Sequence, residues 1–249
     1  MIASFCLRLA AGLVLMLPLL TLAQVPPRFY RVHFLTALGL MAVAGLFFHE
    51  QGTPFWWLLF GGGVLGCVMG SIVWHLDEAP GGQATVFLVP VALAACLIYG
   101  GILQRGAGDS PQRIVDDVLS ALVVGSAMTA MLMGHSYLIS PAMSLAPLYG
   151  LLCAIAVAVL LRIGLACFGL WEWTATHSLA SMDSDLLLWL PVRWILGLFA
   201  PLILAWMAWE TVRIRSTQSA TGILYVVVIL CLIGELTSQL LVERTGFVL

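Results

Sequence analysis

Apolar runs of about twenty residues follow one another almost end to end along this chain, and that one feature leaves few folds open. A bilayer core roughly 30 Å thick is crossed by about 20 apolar residues in a helix. A soluble domain carries about 25% charged residues. This chain of 249 residues carries 9%, with 62% hydrophobic residues and a mean hydropathy of +1.08. Lipid must be the solvent for most of its surface. The strands of a membrane barrel would alternate apolar and polar residues, whereas these runs are apolar on every side. The expectation is an all-α, polytopic transmembrane helix bundle of about eight helices with both termini on the same side. Residues 1–249 are expected to form a single integral membrane domain, with spans at about 3–24, 33–49, 54–75, 84–104, 113–133, 146–170, 186–211 and 221–241. A formal net charge of −2 gives no electrostatic footprint for nucleic acid.

Short loops with turn chemistry separate the runs. Val25-Pro26-Pro27 stops the first, because proline cannot continue a helix. Glu78-Ala79-Pro80-Gly81-Gly82 separates the third and fourth. Ser110-Pro111 is a helix start, with the serine at the N-cap and the proline at the first helical position. The first run has no charge before Arg8 and exceeds the h-region of a signal peptide, so it is expected to be a retained helix. Even helix parity places the 1–2, 3–4, 5–6 and 7–8 loops on one face, called side A, and both termini on side B. Side A carries Arg28, Arg31, Arg213 and Arg215; side B carries Arg8, Arg105, Arg113 and Arg244. The basic counts tie and side B holds more acids, among them Glu50, Asp109, Asp116, Asp117, Asp183 and Asp185. Side A is expected to be cytoplasmic.

Six cysteines, Cys6, Cys67, Cys96, Cys153, Cys167 and Cys231, all lie in apolar runs and form no CxxC or CxxCH. Covalently attached c-type haem, iron–sulfur clusters and zinc ribbons therefore have no support. Gly62, Gly66 and Gly70 recur every four residues in the third run, so they share a helix face that admits another helix closely.

His33, His75 and His135 fall near the side-A ends of the second, third and fifth helices, and His49 and His177 near side B. Non-covalent haem b takes two imidazoles at one depth from facing helices. His33 and His135 are thus the candidate haem-iron ligands, with His75 as a substitute for either. Arg213, Arg215 and Gln218, in the polar segment between the last two helices, are candidates for a quinone headgroup, a lipid phosphate or a partner. Helix-capping histidines and a basic loop meeting anionic lipid are the plainer readings of the same residues.

Charges inside apolar helices are the strongest pointer, since an unpaired charge there costs several kcal/mol. Arg162, Arg193 and Glu235 all lie roughly 10–14 Å below side B at 1.5 Å per residue. They are expected to converge as a buried ionic cluster in which Glu235 contacts at least one arginine. Such a cluster either fixes helix register or serves a substrate, quinone or proton.

No GxSxG, HExxH, P-loop or dinucleotide fingerprint occurs, so no soluble-type catalytic centre is expected. The histidines, the buried charges, nine tryptophans and scant extramembrane mass favour a membrane subunit of a respiratory redox complex that binds haem b or quinone. Membrane lipid and other membrane subunits are the expected partners, in a prokaryotic inner membrane. The eight-helix layout resembles quinol-oxidising anchor subunits of bacterial respiratory complexes in architecture alone. A small-molecule transporter or channel, or a cofactor-free assembly subunit, are the alternatives.

Overall fold

A computed structural model describes residues 1–20, 22, 24–48, 52–76, 81–105, 111–140, 143–176 and 184–249. Nine α-helices, a 3₁₀ turn and a π-helix make up the regular structure of these residues. They are α1 (Ile2–Leu15), α2 (Pro27–Phe48), α3 (Pro54–Val73), α4 (Gly82–Arg105), α5 (Pro111–Ile139), α6 (Ala146–Thr176), α7 (Ser184–Pro191), α8 (Ala200–Arg213) and α9 (Thr217–Thr245). The π-helix Val192–Phe199 joins α7 to α8, so the described residues supply eight segments long and apolar enough to cross a membrane. It is a multi-pass membrane protein built as an all-α bundle.

Local chemistry sets the helix ends. Pro18 lacks an amide hydrogen, and α1 gives way at Met16 to the 3₁₀ turn Leu17–Leu19, short of the expected residue 24. Thr53 caps α3 by accepting the Trp56 amide, with Pro54 at the first helical position. α2 begins at Pro27, six residues before the apolar run itself, and α5 continues to Ile139. Helices outlast their apolar runs because backbone hydrogen bonding does not stop at the membrane surface. Ser110, His49 and His177 lie outside the described residues.

α1 and α5 form the centre. α1 packs on α2, α4 and α5; α5 packs on α1, α6 and α9; α8 packs on α6 and α9. In their most apolar windows 67% of α1 residues and 72% of α5 residues are buried, against 22% in the span formed by α7, the π-helix and α8. The outer helices turn residues such as Leu46, Leu58, Leu88 and Trp206 outward, as lipid-facing surfaces do.

Glycines set the closest approaches. On α3 the packed positions are Gly63, Gly66 and Gly70, which face Leu93, Val89 and the Phe34 ring, while Gly62 meets nothing. Gly66 and Gly70 of the expected face are packed, and Gly63 takes the place of Gly62. Backbone meets backbone at two helix crossings elsewhere: Gly12 of α1 against Gly125 and Ala121 of α5, and Gly197 of the π-helix against Gly234 of α9; Gly169 of α6 likewise lies against the Val248 carbonyl of the C-terminal segment. A Cβ at any of these five glycines would collide with backbone. Both crossings flank the site described next.

Candidate functional site

Six charged side chains from five helical segments meet inside the side-B half of the bundle. They are Arg8 on α1, Asp116 and Asp117 on α5, Arg162 on α6, Arg193 on the π-helix and Glu235 on α9, each at most 5% exposed. Three arginines against three carboxylates leave the set formally neutral. Glu235 is the hub. It accepts from Arg8, from the Ser120 hydroxyl, from Arg162 Nη1 at 2.7 Å and from Gln239 Nε2 at 2.8 Å, one turn along its own helix. Four donors match the four lone-pair sites of a carboxylate. Arg8 also pairs with Asp117 and lies 3.9 Å from Asp116. Arg162 stands 3.2 Å from Asp116 Oδ1 and donates to Ser238 Oγ at 3.2 Å. The Arg162–Asp116 approach satisfies ion-pair distance without the alignment of a hydrogen bond, which leaves Asp116 Oδ1 without a hydrogen-bond donor.

The local sequence explains how these groups reach one another. Gly12 sits one turn beyond Arg8, and Gly125 lies five residues beyond Ser120. Their contact lets α1 approach α5 closely enough for Arg8 to reach Asp117, Ser120 and, across α5, Glu235. Gly197 stands one turn beyond Arg193, and Gly234 immediately precedes Glu235, so the second crossing brings the π-helix against α9. The π-helix is bracketed by Pro191 and Pro201, and its end is closed by Ala200 donating to the carbonyl of Ile195, five residues back. Pro201 cannot donate to the Gly197 carbonyl, so the α-helical ladder is interrupted there. Segments of this kind recur at functional sites.

Arg193 differs from the other two arginines. It is fully buried and within electrostatic reach of Arg162, Asp116 and Glu235, yet it forms no ion pair among the described residues, and its Nε and Nη2 have no hydrogen-bond partner. The Nε atoms of Arg8 and Arg162 are also without acceptors. The site therefore holds unpaired donors on all three arginines beside unpaired acceptors at Asp116 Oδ1 and Gln239 Oε1, a state that ordinarily calls for a water or ligand. A cavity of about 20 Å³, room for about one water, touches Arg8 and Asp117 beneath Phe48, Leu97 and Gly100.

Of the residues singled out in the sequence, Arg162 and Glu235 are in direct contact and Arg193 borders them. Arg8, Asp116, Asp117 and Ser120 were not anticipated as members. Arg8 and the two aspartates lie toward side B, as helix parity predicts, but all three are buried. They sit within two turns of the side-B ends of α1 and α5, where charges usually reach water. Their equal depth, about 9 Å into each helix at 1.5 Å per residue, was the available signal.

The histidines occupy three different environments. His33 is fully buried and donates from Nδ1 to the Phe29 carbonyl at 2.8 Å, which leaves an Nε2 lone pair enclosed and without a partner. That tautomer suits a metal ligand. His75 is exposed, and its Nδ1 accepts from Arg31 at 2.9 Å, so the ring proton sits on Nε2 and that atom offers iron nothing. His135 is exposed on α5, and α1 stands between α5 and α2. Of the three, His33 alone has an enclosed ring nitrogen without a partner. Among the described residues no three His, Cys, Asp or Glu side chains form a metal-binding group. Arg213, Arg215 and Gln218 are exposed on side A; the two arginines border a common cavity that Gln218 does not line.

Comparison of the chain with protein-family models, with curated proteins and with solved structures finds no match.

Proposed function

We propose that this protein is the membrane subunit of a respiratory redox complex in a prokaryotic inner membrane, and that its side-B ionic cluster handles protons exchanged with a quinone. The observation that carries this reading is Arg193, a fully buried guanidinium with orphaned donors within electrostatic reach of Asp116 and Glu235. A quinone supplies carbonyl oxygens that accept such donors, and its two-electron reduction takes up two protons. Asp116, Asp117 and Glu235 are groups able to hold or pass a proton, and the small cavity at Arg8 and Asp117 has room for about one water beside Asp117. The electrons belong to partner subunits. Quinone is favoured over haem b because only His33 among the three side-A histidines offers an enclosed lone pair.

Burial of Arg8 also bears on orientation. Without it, side B keeps Arg105, Arg113 and Arg244 against four arginines on side A, which supports a cytoplasmic side A. The cluster then lies in the outer half of the membrane.

A second reading, a transporter, draws on the π-helix between Pro191 and Pro201, since interrupted helices frame many transport sites. The test is purification of the tagged full chain with its native partners, followed by quinone extraction, a reduced-minus-oxidised spectrum and quinol-dependent electron transfer. Bound quinone, and electron transfer lost in Asp117→Asn and Arg193→Gln without loss of chain from the membrane, are expected. A preparation with no quinone and no redox partner sinks the proposal; solute flux through proteoliposomes would instead establish the transporter.

A further inference from the structure

At the opposite end of the bundle, a cavity of about 450 Å³ opens on side A between the α5–α6 connection and the end of α8. Its size falls within the usual range for small-ligand sites. Met143, Leu145 and Tyr149 contribute apolar walls, while Ser144, Arg213 and Arg215 make most of its exposed lining polar and give it a basic rim. The frame is fixed. Tyr137 donates to the Ser144 carbonyl at 2.6 Å, Ser144 Oγ accepts the Ala146 amide at the start of α6, and Tyr149 packs edge-on against Trp209 with ring centroids 4.6 Å apart.

The backbone at Arg215 provides an independent observation. α8 ends with Ser216 donating to the Thr211 carbonyl and Arg215 to that of Val212, a Schellman-type stop. Its left-handed position, with φ 59°, is held by Arg215 and is the one non-glycine residue with positive φ among those described. Glycine fills that position at least cost, and a residue kept in a strained conformation points to a use for its side chain. Arg213 is balanced by Glu210 at 3.5 Å, whereas Arg215 makes no ion pair among the described residues. The rim thus carries one uncompensated positive charge: two arginines against one glutamate.

We propose that this side-A cavity binds a phosphate group borne on an apolar tail, as an anionic phospholipid of the adjoining leaflet presents it. The guanidiniums match phosphate oxygens, and the apolar walls match the glyceride and upper chain. Ile139, Trp206 and Ile214 on the bordering segments are exposed apolar side chains of the kind that a lipid leaflet covers. The inference is independent of the side-B cluster.

The full chain in nanodiscs, with a zwitterionic host lipid and titrated phosphatidylglycerol, tests it through displacement of a fluorescent phosphatidylglycerol analogue and through lipid adducts retained in native mass spectrometry. Arg213→Gln and Arg215→Gln are each expected to weaken retention about fivefold, since each basic side chain near an anionic surface contributes a factor of that order. Arg215→Gly separates binding from structure. It relieves the left-handed strain, so its Tm is expected to rise while its lipid retention falls. Competition by inorganic phosphate or glycerol 3-phosphate at the same arginines would keep the phosphate site and assign it a soluble ligand. Wild-type retention in all three variants, or retention that follows Tm alone, overturns the proposal.

Discussion

The two ends of the bundle use the same residue type under opposite conditions. Arg8 and Arg162 on side B are enclosed by carboxylates and hydroxyls and lie at most 5% exposed. Arg213 on side A leaves 72% of its side chain open and pairs with one glutamate on its own helix. In the interior, water cannot compensate a missing partner, so each charge depends on the geometry of five helical segments. At the surface, solvent and headgroups fill in for whatever the protein omits, and such pairs contribute about 0–1 kcal/mol. Inward burial thus turns arginine from an adaptable surface charge into a demand on tertiary structure. Arg193 sharpens the contrast, since it has the burial of one group and the free donors of the other.

The largest effect is expected at Glu235. Glu235→Gln leaves Arg8 and Arg162 short of a counter-charge, and removing one partner of a buried pair costs about 3–5 kcal/mol. The Tm of the extracted protein should fall sharply, and adding Arg162→Met should restore part of the loss. A single variant as stable as wild type would place water in the site and erase the difference between the two ends.

A smaller effect is expected at the crossing that delivers Arg8. Gly125→Ala puts a methyl group into the backbone of Gly12, and forced overpacking costs about 1–3 kcal/mol. Thermal unfolding should show it, whereas Gly62→Ala, which meets nothing, should be neutral or slightly stabilising. Equal responses from the two would mean that the α1–α5 contact does not position the cluster.

The smallest stability change is expected at Arg193. Arg193→Met removes a buried cation that has no ion pair, so its loss should shift stability by no more than about 1 kcal/mol, because isosteric apolar replacement of buried ionic groups is often neutral. Electron transfer in the parent complex should nevertheless be lost. A large drop in Tm with activity intact would make Arg193 a register-fixing residue like its neighbours.

Part of the site is legible in the sequence. A charge in the middle of an apolar run must find a partner, so Arg162, Arg193 and Glu235 identified themselves by depth. Arg8, Asp116 and Asp117 did not, because a charge near a helix end has a solvated alternative that sequence cannot exclude. The histidine grouping rested on depth alone, which says nothing of azimuth. His33 turns into the bundle, while His135 and His75 are exposed. The same limit explains the glycine face of α3, where Gly63 is packed and its neighbour Gly62 is not.

The eight segments long and apolar enough to cross a membrane among the described residues follow from the sequence, because transfer of apolar length into lipid is a local property that each run satisfies alone. The sequence also determined that some charges had to be paired in the interior. Which helices stand at the centre, which face of each turns inward, and that Arg8 reaches Glu235 across 227 residues of chain were decided only by tertiary structure. Those outcomes depend on how backbones approach at Gly12, Gly125, Gly197 and Gly234, and helix contacts of that kind are relations between segments that no single segment encodes.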